Sequence, residues 1–250
     1  MSGTAKEMQR WLEWVQTTSV ALRREEPSGG VGSSASGCLI QYGGRRFVVT
    51  AGHAVAGTGW CVEIGFDPKV GDTEIWRLRG FSFVGEMRKG QGLAGMRMFD
   101  CCFEEVSHSV QPVFEHRTPR GVFSERRLRP VFITDLTALP QRDQQYAFAG
   151  EIKPEKHGSN WMADHATYPG LTYLHSDAET HTFKLPVTHP GHDEFRGCSG
   201  APIVGEDGEI VAIVLSGETG ADTIKGLSLA YVKPALDLYC ASVPSLYGSE

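Results

Sequence analysis

The sequence predicts an all-β chain of short antiparallel strands, with one helix added in front and a short one behind. Three observations lead there. The 30 glycines and 13 prolines are spread along all 250 residues rather than clustered, as many short strands joined by turns require. β-branched or alternating apolar runs of roughly four to eight residues recur between turn signals. Helical periodicity is confined to the two ends. At 40% hydrophobic and 22% charged, the composition is that of a soluble globular protein with one large domain or two small ones.

The elements follow in order. Met8, Trp11, Leu12 and Val15 recur at helical spacing within residues 4–18, which predicts one apolar helix face that packs on the body or docks a partner. Residues 19–24 form a first strand. Residues 26–37, rich in Pro, Gly and Ser, form a loop. Residues 38–42 and 46–50 form a hairpin around Gly43-Gly44. Residues 61–66, 74–78, 81–84 and 99–106 continue the β pattern. Residues 107–129, with Pro112, Pro119 and many charges, read as a linker. Residues 131–134, 145–149, 172–175, 182–185, 201–204, 210–215 and 227–231 are further strands, and 234–240 a short helix with Pro at its start. About fourteen strands suffice for two β-barrels.

Composition also excludes function classes. A net charge of −6 gives no support to nucleic-acid binding. Arg117, Arg120, Arg126, Arg127 and Arg129 form the one basic cluster, read as a solvated linker face. No run approaches the roughly 20 apolar residues of a membrane span, and residues 1–24 have charges throughout, unlike a signal peptide. The six cysteines, Cys38, Cys61, Cys101, Cys102, Cys198 and Cys240, lack metal-ligand spacing and read as reduced and buried in a cytoplasmic protein. Nine histidines, among them His175, His181, His189 and His192, lack a second ligand set and read as surface residues. No metal, cofactor or phosphate-binding glycine loop is expected.

Chemistry is concentrated in three places. Thr50-Ala51-Gly52-His53 ends a β-branched run, Asp100 stands in an apolar strand, and Gly197-Cys198-Ser199-Gly200-Ala201-Pro202 sets a serine among glycines. A serine nucleophile needs an imidazole base, and the base needs a carboxylate to orient it. The chain order His, Asp, Ser is one of the few known for this constellation. Each residue alone reads as a turn or strand-end residue; their joint order is the signal.

These motifs resemble those of the trypsin/chymotrypsin-fold serine peptidases of the compact bacterial type, over residues 19 to 240. The resemblance implies two packed six-stranded antiparallel barrels: a helical extension at 1–18, the first barrel at 19–106, a linker at 107–129, the second barrel at 130–232, and a C-terminal helix and tail at 233–250. It implies His53, Asp100 and Ser199 as catalytic residues, and the Gly197-Cys198-Ser199 loop as the oxyanion hole, with N–H donors from Gly197 and Ser199. It sets the floor of the primary pocket at Asp193, six residues before Ser199, which would select Arg or Lys. The alternative is that residues 189–194 form an exposed loop with solvated acids. Leu215-Ser216-Gly217 would pair with substrate backbone, and Gly226 would line the pocket's far wall.

The chain departs from the family at Cys198, where many secreted relatives carry an aspartate that pairs with a new N-terminus. That switch is absent, so the loop must be held some other way. Cys198 itself is out of register for a nucleophile. Leu215 replaces a serine that often bonds the catalytic aspartate. The expected partner is a protein or peptide substrate, with an activating or regulatory protein as a second partner. The competing readings are a catalytically silent peptide-binding module on the same fold, a protease held inactive until a partner orders the oxyanion loop, and an esterase. An α/β-hydrolase is disfavoured because Ala201 breaks the G-x-S-x-G elbow.

Overall fold

A computed structural model of the chain describes residues 5–25, 31–67, 69–87, 90, 95–117, 123–157, 160–189, 191 and 195–248. The first element is helix α1 (Ala5–Val15). Trp11 and Val15 are its buried face, with Met8, Leu12 and Trp14 half-buried beside them. Trp11 Nε1 donates to the Gly205 carbonyl at 2.9 Å, which pins the helix to the second half of the fold. Burying a side chain the size of Val15 stabilises by about 1.5–3 kcal/mol.

Seven strands follow: β1 (Val20–Glu25), β2 (Val31–Tyr42), β3 (Arg45–Thr50), β4 (Trp60–Asp67), β5 (Asp72–Arg77), β6 (Ser82–Met87) and β7 (Met96–Val106). They hydrogen-bond in the order β5-β4-β1-β2-β3-β7-β6. A hairpin of β8 (Val113–Arg117) and β9 (Phe123–Leu128) stands apart, and β10 (Val131–Ile133) joins β2 in parallel. β11 (Gln145–His157), β12 (Asn160–Asp177), β13 (Thr180–Lys184), β14 (Pro202–Gly205), β15 (Ile210–Gly217) and β16 (Thr223–Ser228) close a barrel in the order β11-β12-β13-β16-β15-β14. Helix α2 (Lys233–Ser242) ends the fold, with Pro234 in its first turn.

Three apolar clusters hold these parts together. One fills the barrel with Tyr146, Phe148, Leu171, Phe183 and Ile203. One is enclosed by the first sheet, on its face away from the barrel, around Leu22, Leu39, Val48 and Val62. The third lies between sheet and barrel, where Phe47, Val49 and Phe103 meet Ala147, Ile213 and Leu227 under α1 and α2. Alternation along β7 sends Cys101 into that interface and its neighbour Cys102 into the cluster enclosed by the first sheet.

The architecture is the expected all-β one with a helix at each end, but several elements differ. The closed six-stranded barrel is the second; among the described residues, the first half is a path from β5 to β6 whose two ends are not paired. Residues 31–37, expected as loop, are strand. Their Ser and Gly content reflects close packing rather than a turn: a Cβ on Gly37 would lie 3.0 Å from the Val49 carbonyl and 3.3 Å from Leu22 Cδ1. The stretch read as a linker carries β8 and β9, and β10 joins the first sheet instead of the barrel. β11 and β12 run on past residues 149 and 172 as one long hairpin, which sequence reading missed because Gly, Lys, Asp and Pro interrupt the apolar pattern there. Residues 229–231 leave the strand for a 3-10 turn.

Arg129 corrects the reading of the basic cluster as solvated. It is buried, donates to the Ser19 carbonyl, and pairs with Glu151 at 3.0 Å. Arg23, also buried, joins the same Glu151 and reaches Glu63 at 3.1 Å. Arg126 and Arg127 are on the surface side, and Arg120 lies outside the described residues.

Candidate active site

β3 is buried along its whole length and ends in a 3-10 turn, Gly52–Val55, that carries His53. β3 pairs with β7 so that Thr50 faces Cys102. That register, continued two residues, brings Asp100 against Gly52. Glycine is needed there: a Cβ would come within 3.3 Å of Asp100 Oδ1 and of Phe83 Cε1. Asp100 then receives the His53 backbone N–H on Oδ1 at 2.7 Å and the ring Nδ1 on Oδ2 at 2.6 Å. On the other side of the ring, Nε2 lies 3.0 Å from Ser199 Oγ.

Electrostatics match this geometry. The hydrogen bond to Asp100 raises the His53 pKa above its ordinary value; burial opposes it and the Asp100 charge adds to it. Burial pushes Asp100 up, but hydrogen bonds from the His53 ring and N–H, the His53 charge and the Gly52 N–H together leave it below its usual range. A carboxylate at Nδ1 fixes the ring proton there and leaves the Nε2 lone pair toward the serine hydroxyl. The arrangement can take a proton from Ser199 as its oxygen attacks an electrophile.

The serine sits in a loop held by several backbone hydrogen bonds. Ser199 O accepts the Ser36 N–H at 3.1 Å, the Gly200 N–H reaches Val214 O at 2.8 Å, and the Cys198 N–H reaches Phe195 O at 2.9 Å. Gly197 and Gly200 have φ of 106° and 87°, the region that glycine adopts without penalty. A Cβ on Gly197 would collide with the Glu151 carbonyl, and one on Gly200 with the Ser36 carbonyl and Thr50 Oγ1. The N–H groups of Gly197 and Ser199 have no acceptor among the described residues. Cys198 is buried against Gly150, and burial pushes its thiol up to about 12. It carries no thiolate at neutral pH, so it is no competitor to Ser199.

A cavity of about 310 Å³ opens beside Ser199 and His53. Val214, Leu215, Ser216 and Gly217 line one side, and Phe195, Arg196, His189, Thr219 and Ile224 are among the residues that line the others. Val214 bonds the serine loop through its N–H to Ala201 O and its C=O to the Gly200 N–H; beyond it, among the described residues, β15 is paired with β16 alone, so Leu215–Gly217 offers an open strand edge next to the serine.

No family model and no curated protein matches the sequence. Solved structures do match. The serine endoprotease of Yersinia pestis superposes with a TM-score of 0.57 over 97% of this chain and 68% of that one, at 11% identity. Human heparin binding protein superposes with a TM-score of 0.57 over 94% of each chain, at 13% identity.

The chain has the chymotrypsin fold.

Within that fold the predicted residues divide. His53, Asp100 and Ser199 come together, and Gly197 lies beside them. Leu215, Ser216 and Gly217 line the cavity. Gly226 does not: a Cβ there would meet Ile203 Cδ1 at 2.7 Å and Ala212 Cβ at 2.9 Å inside the barrel, and Ile224 on the same strand reaches the cavity instead. Asp193 lies outside the described residues, as does His192. Two histidines read as surface residues are buried. His181 is held at about 4 by burial, whereas His189 stacks on Phe195 with ring centroids 4.1 Å apart and forms part of the cavity wall. Its spacing from the serine carried no motif, and only the fold of the loop brings it there. Among the described residues, no group of three or more His, Cys, Asp or Glu could hold a metal ion.

Proposed function

We propose that this protein is a serine endopeptidase that hydrolyses peptide bonds through His53, Asp100 and Ser199. The observation that carries the reading is one imidazole within hydrogen-bond reach of both a carboxylate and a serine hydroxyl, beside two N–H groups with no acceptor among the described residues. Ser199 Oγ attacks the scissile carbonyl carbon while its proton passes to His53 Nε2. The carbonyl electron pair moves onto oxygen, facing the N–H groups of Gly197 and Ser199. Asp100 stabilises the imidazolium. Collapse breaks the C–N bond, and Nε2 returns the proton to the departing amine. Water then repeats the sequence on the acyl-serine, which releases the acid and restores Ser199.

The substrate is an extended protein or peptide segment, supported by the open edge at Leu215–Gly217, to which a strand can add through main-chain hydrogen bonds. Preference for Arg or Lys before the cut bond rests on Asp193. The described cavity lining contains no carboxylate and does contain Arg196 and His189, so the selecting charge would come from Asp193, which lies outside the described residues. A reducing, cytoplasmic setting is supported by six cysteines that are all thiols. No helix among the described residues is long and apolar enough to cross a membrane.

A peptide library profiled by mass spectrometry tests both levels. Hydrolysis should be enriched after Arg and Lys, lose that enrichment in Asp193→Ser, and fall by about 10⁴-fold or more in Ser199→Ala. Hydrolysis unchanged in Ser199→Ala removes the peptidase reading. A profile without basic preference removes only the role of Asp193.

A further inference from the structure

Ser36 lies where the first sheet, the barrel and the serine loop meet. It belongs to β2 and is fully buried. Its N–H donates to the Ser199 carbonyl at 3.1 Å, and its hydroxyl donates to the Gly197 carbonyl at 2.7 Å. The same oxygen accepts the Glu151 N–H at 3.3 Å. Its own carbonyl accepts from Thr50 Oγ1 at 2.7 Å, at the end of the strand that delivers His53. One residue thus ties both ends of the Gly197–Ser199 segment to the histidine-bearing strand.

These bonds determine how the loop's peptides face. A peptide is planar, so holding its C=O and its N–H fixes its orientation. The Gly197–Cys198 peptide is held in this way, its C=O by Ser36 Oγ and its N–H by Phe195 O. Glycine at 197 would otherwise let that plane turn at little cost. The loop has no charged anchor at 198, because Cys198 is a buried neutral thiol. The Ser36 hydroxyl is itself oriented: the Glu151 N–H occupies it as acceptor, and the Glu151 side chain is clamped by Arg23 and Arg129.

We propose that Ser36 is a positioning residue, whose hydroxyl holds the Gly197–Cys198 peptide so that the N–H groups of Gly197 and Ser199 remain available to a developing oxyanion. It touches neither the substrate nor the reacting atoms. The inference rests on the peptidase reading above.

The test compares wild type with Ser36→Ala and Ser36→Gly, each checked for folding by circular dichroism. Removal of a whole oxyanion donor costs on the order of 10²–10³ in kcat. Donors held less firmly should lose about 10- to 100-fold in kcat, with KM within about threefold. Affinity for a peptide boronate, which forms a tetrahedral adduct on the serine, should fall by the same factor as kcat. The midpoint of the acid limb of the pH profile should not move, since His53 is untouched. Should neither variant fold, the wild-type boronate adduct decides by crystallography: the inference requires the Ser36 to Gly197 bond intact and the adduct oxygen within hydrogen-bond distance of both N–H groups. Unchanged kcat, loss in KM alone, or a broken Ser36 to Gly197 bond in the adduct overturns the inference and leaves the peptidase reading standing. A wild-type chain that forms no adduct and hydrolyses nothing overturns both.

Discussion

Glu151 of β11 links the two halves of the fold through two buried arginines. Its side chain is 6% exposed, and it faces Arg23 and Arg129, which are 2% and 5% exposed. His165 Nε2 lies 3.2 Å from the same carboxylate. Glu151→Ala removes the shared anion and leaves two buried guanidinium groups near one another, with Glu63 bonded to Arg23 and Glu115 acting on Arg129 among the counter-charges that stay. Deleting one partner of a buried pair costs about 3–5 kcal/mol. With two pairs lost together, the upper end applies, about 5 kcal/mol. At about 2–4 °C per kcal/mol for chains of roughly this size, Tm should fall by about 10–20 °C. The effect also has a pH signature. Burial pushes the Glu151 carboxyl up, but the Arg23 charge, the His165 hydrogen bond and the Arg129 charge outweigh it and hold it well below the ordinary range. A carboxyl with a depressed folded pKa stabilises fully above its unfolded value, about 4.3, and loses that contribution as pH falls through the folded value. Urea unfolding of wild type, Glu151→Gln and Glu151→Ala between pH 7 and pH 3 measures both. The advantage of wild type over Glu151→Gln should be constant from pH 7 to about 5 and begin to shrink only below about pH 4.3. A difference below about 1 kcal/mol at pH 7 would refute the view that this cluster joins sheet to barrel.

Other outcomes follow from the same geometry. Because Asp100 raises the His53 pKa, the base is protonated and idle at low pH, and kcat/KM should rise with pH along a limb centred above 6.5. Asp100→Asn should move that limb down and lower kcat by about 10⁴-fold; a limb below 6.5 in wild type would contradict the assignment. Burial pushes the thiols of Cys38, Cys102 and Cys198 up to about 12. Disulfide exchange with a chromogenic reagent at pH 8 should therefore modify half-buried Cys240 first in the native protein. Denatured protein should yield six thiols, and two or fewer would contradict the reducing compartment.

The three residues of the candidate site were legible in the sequence because each stands in a short motif that keeps its neighbours small. Gly52 admits Asp100, and Gly197 and Gly200 occupy backbone angles that other residues resist. The barrel strands were legible where apolar runs are unbroken, as at Ile210–Gly217. The rest depends on distant partners. Val31 to Gly37 reads as loop from its own residues and is strand because β1 and the serine loop pair with it. Arg23, Arg129 and Glu151 look like surface charges until the sheet closes on the barrel. Ser36 and His189 belong to no motif, and their roles arise only from what the fold packs against them.

The most direct test of the central claim is labelling with a serine-directed fluorophosphonate, the adduct being mapped by peptide mass spectrometry in wild type, His53→Ala and Ser199→Ala. One stoichiometric adduct on Ser199 is expected in wild type, with formation slowed by orders of magnitude in His53→Ala and no adduct in Ser199→Ala. An unlabelled wild type, or an adduct on another serine that forms equally well without His53, would contradict that claim.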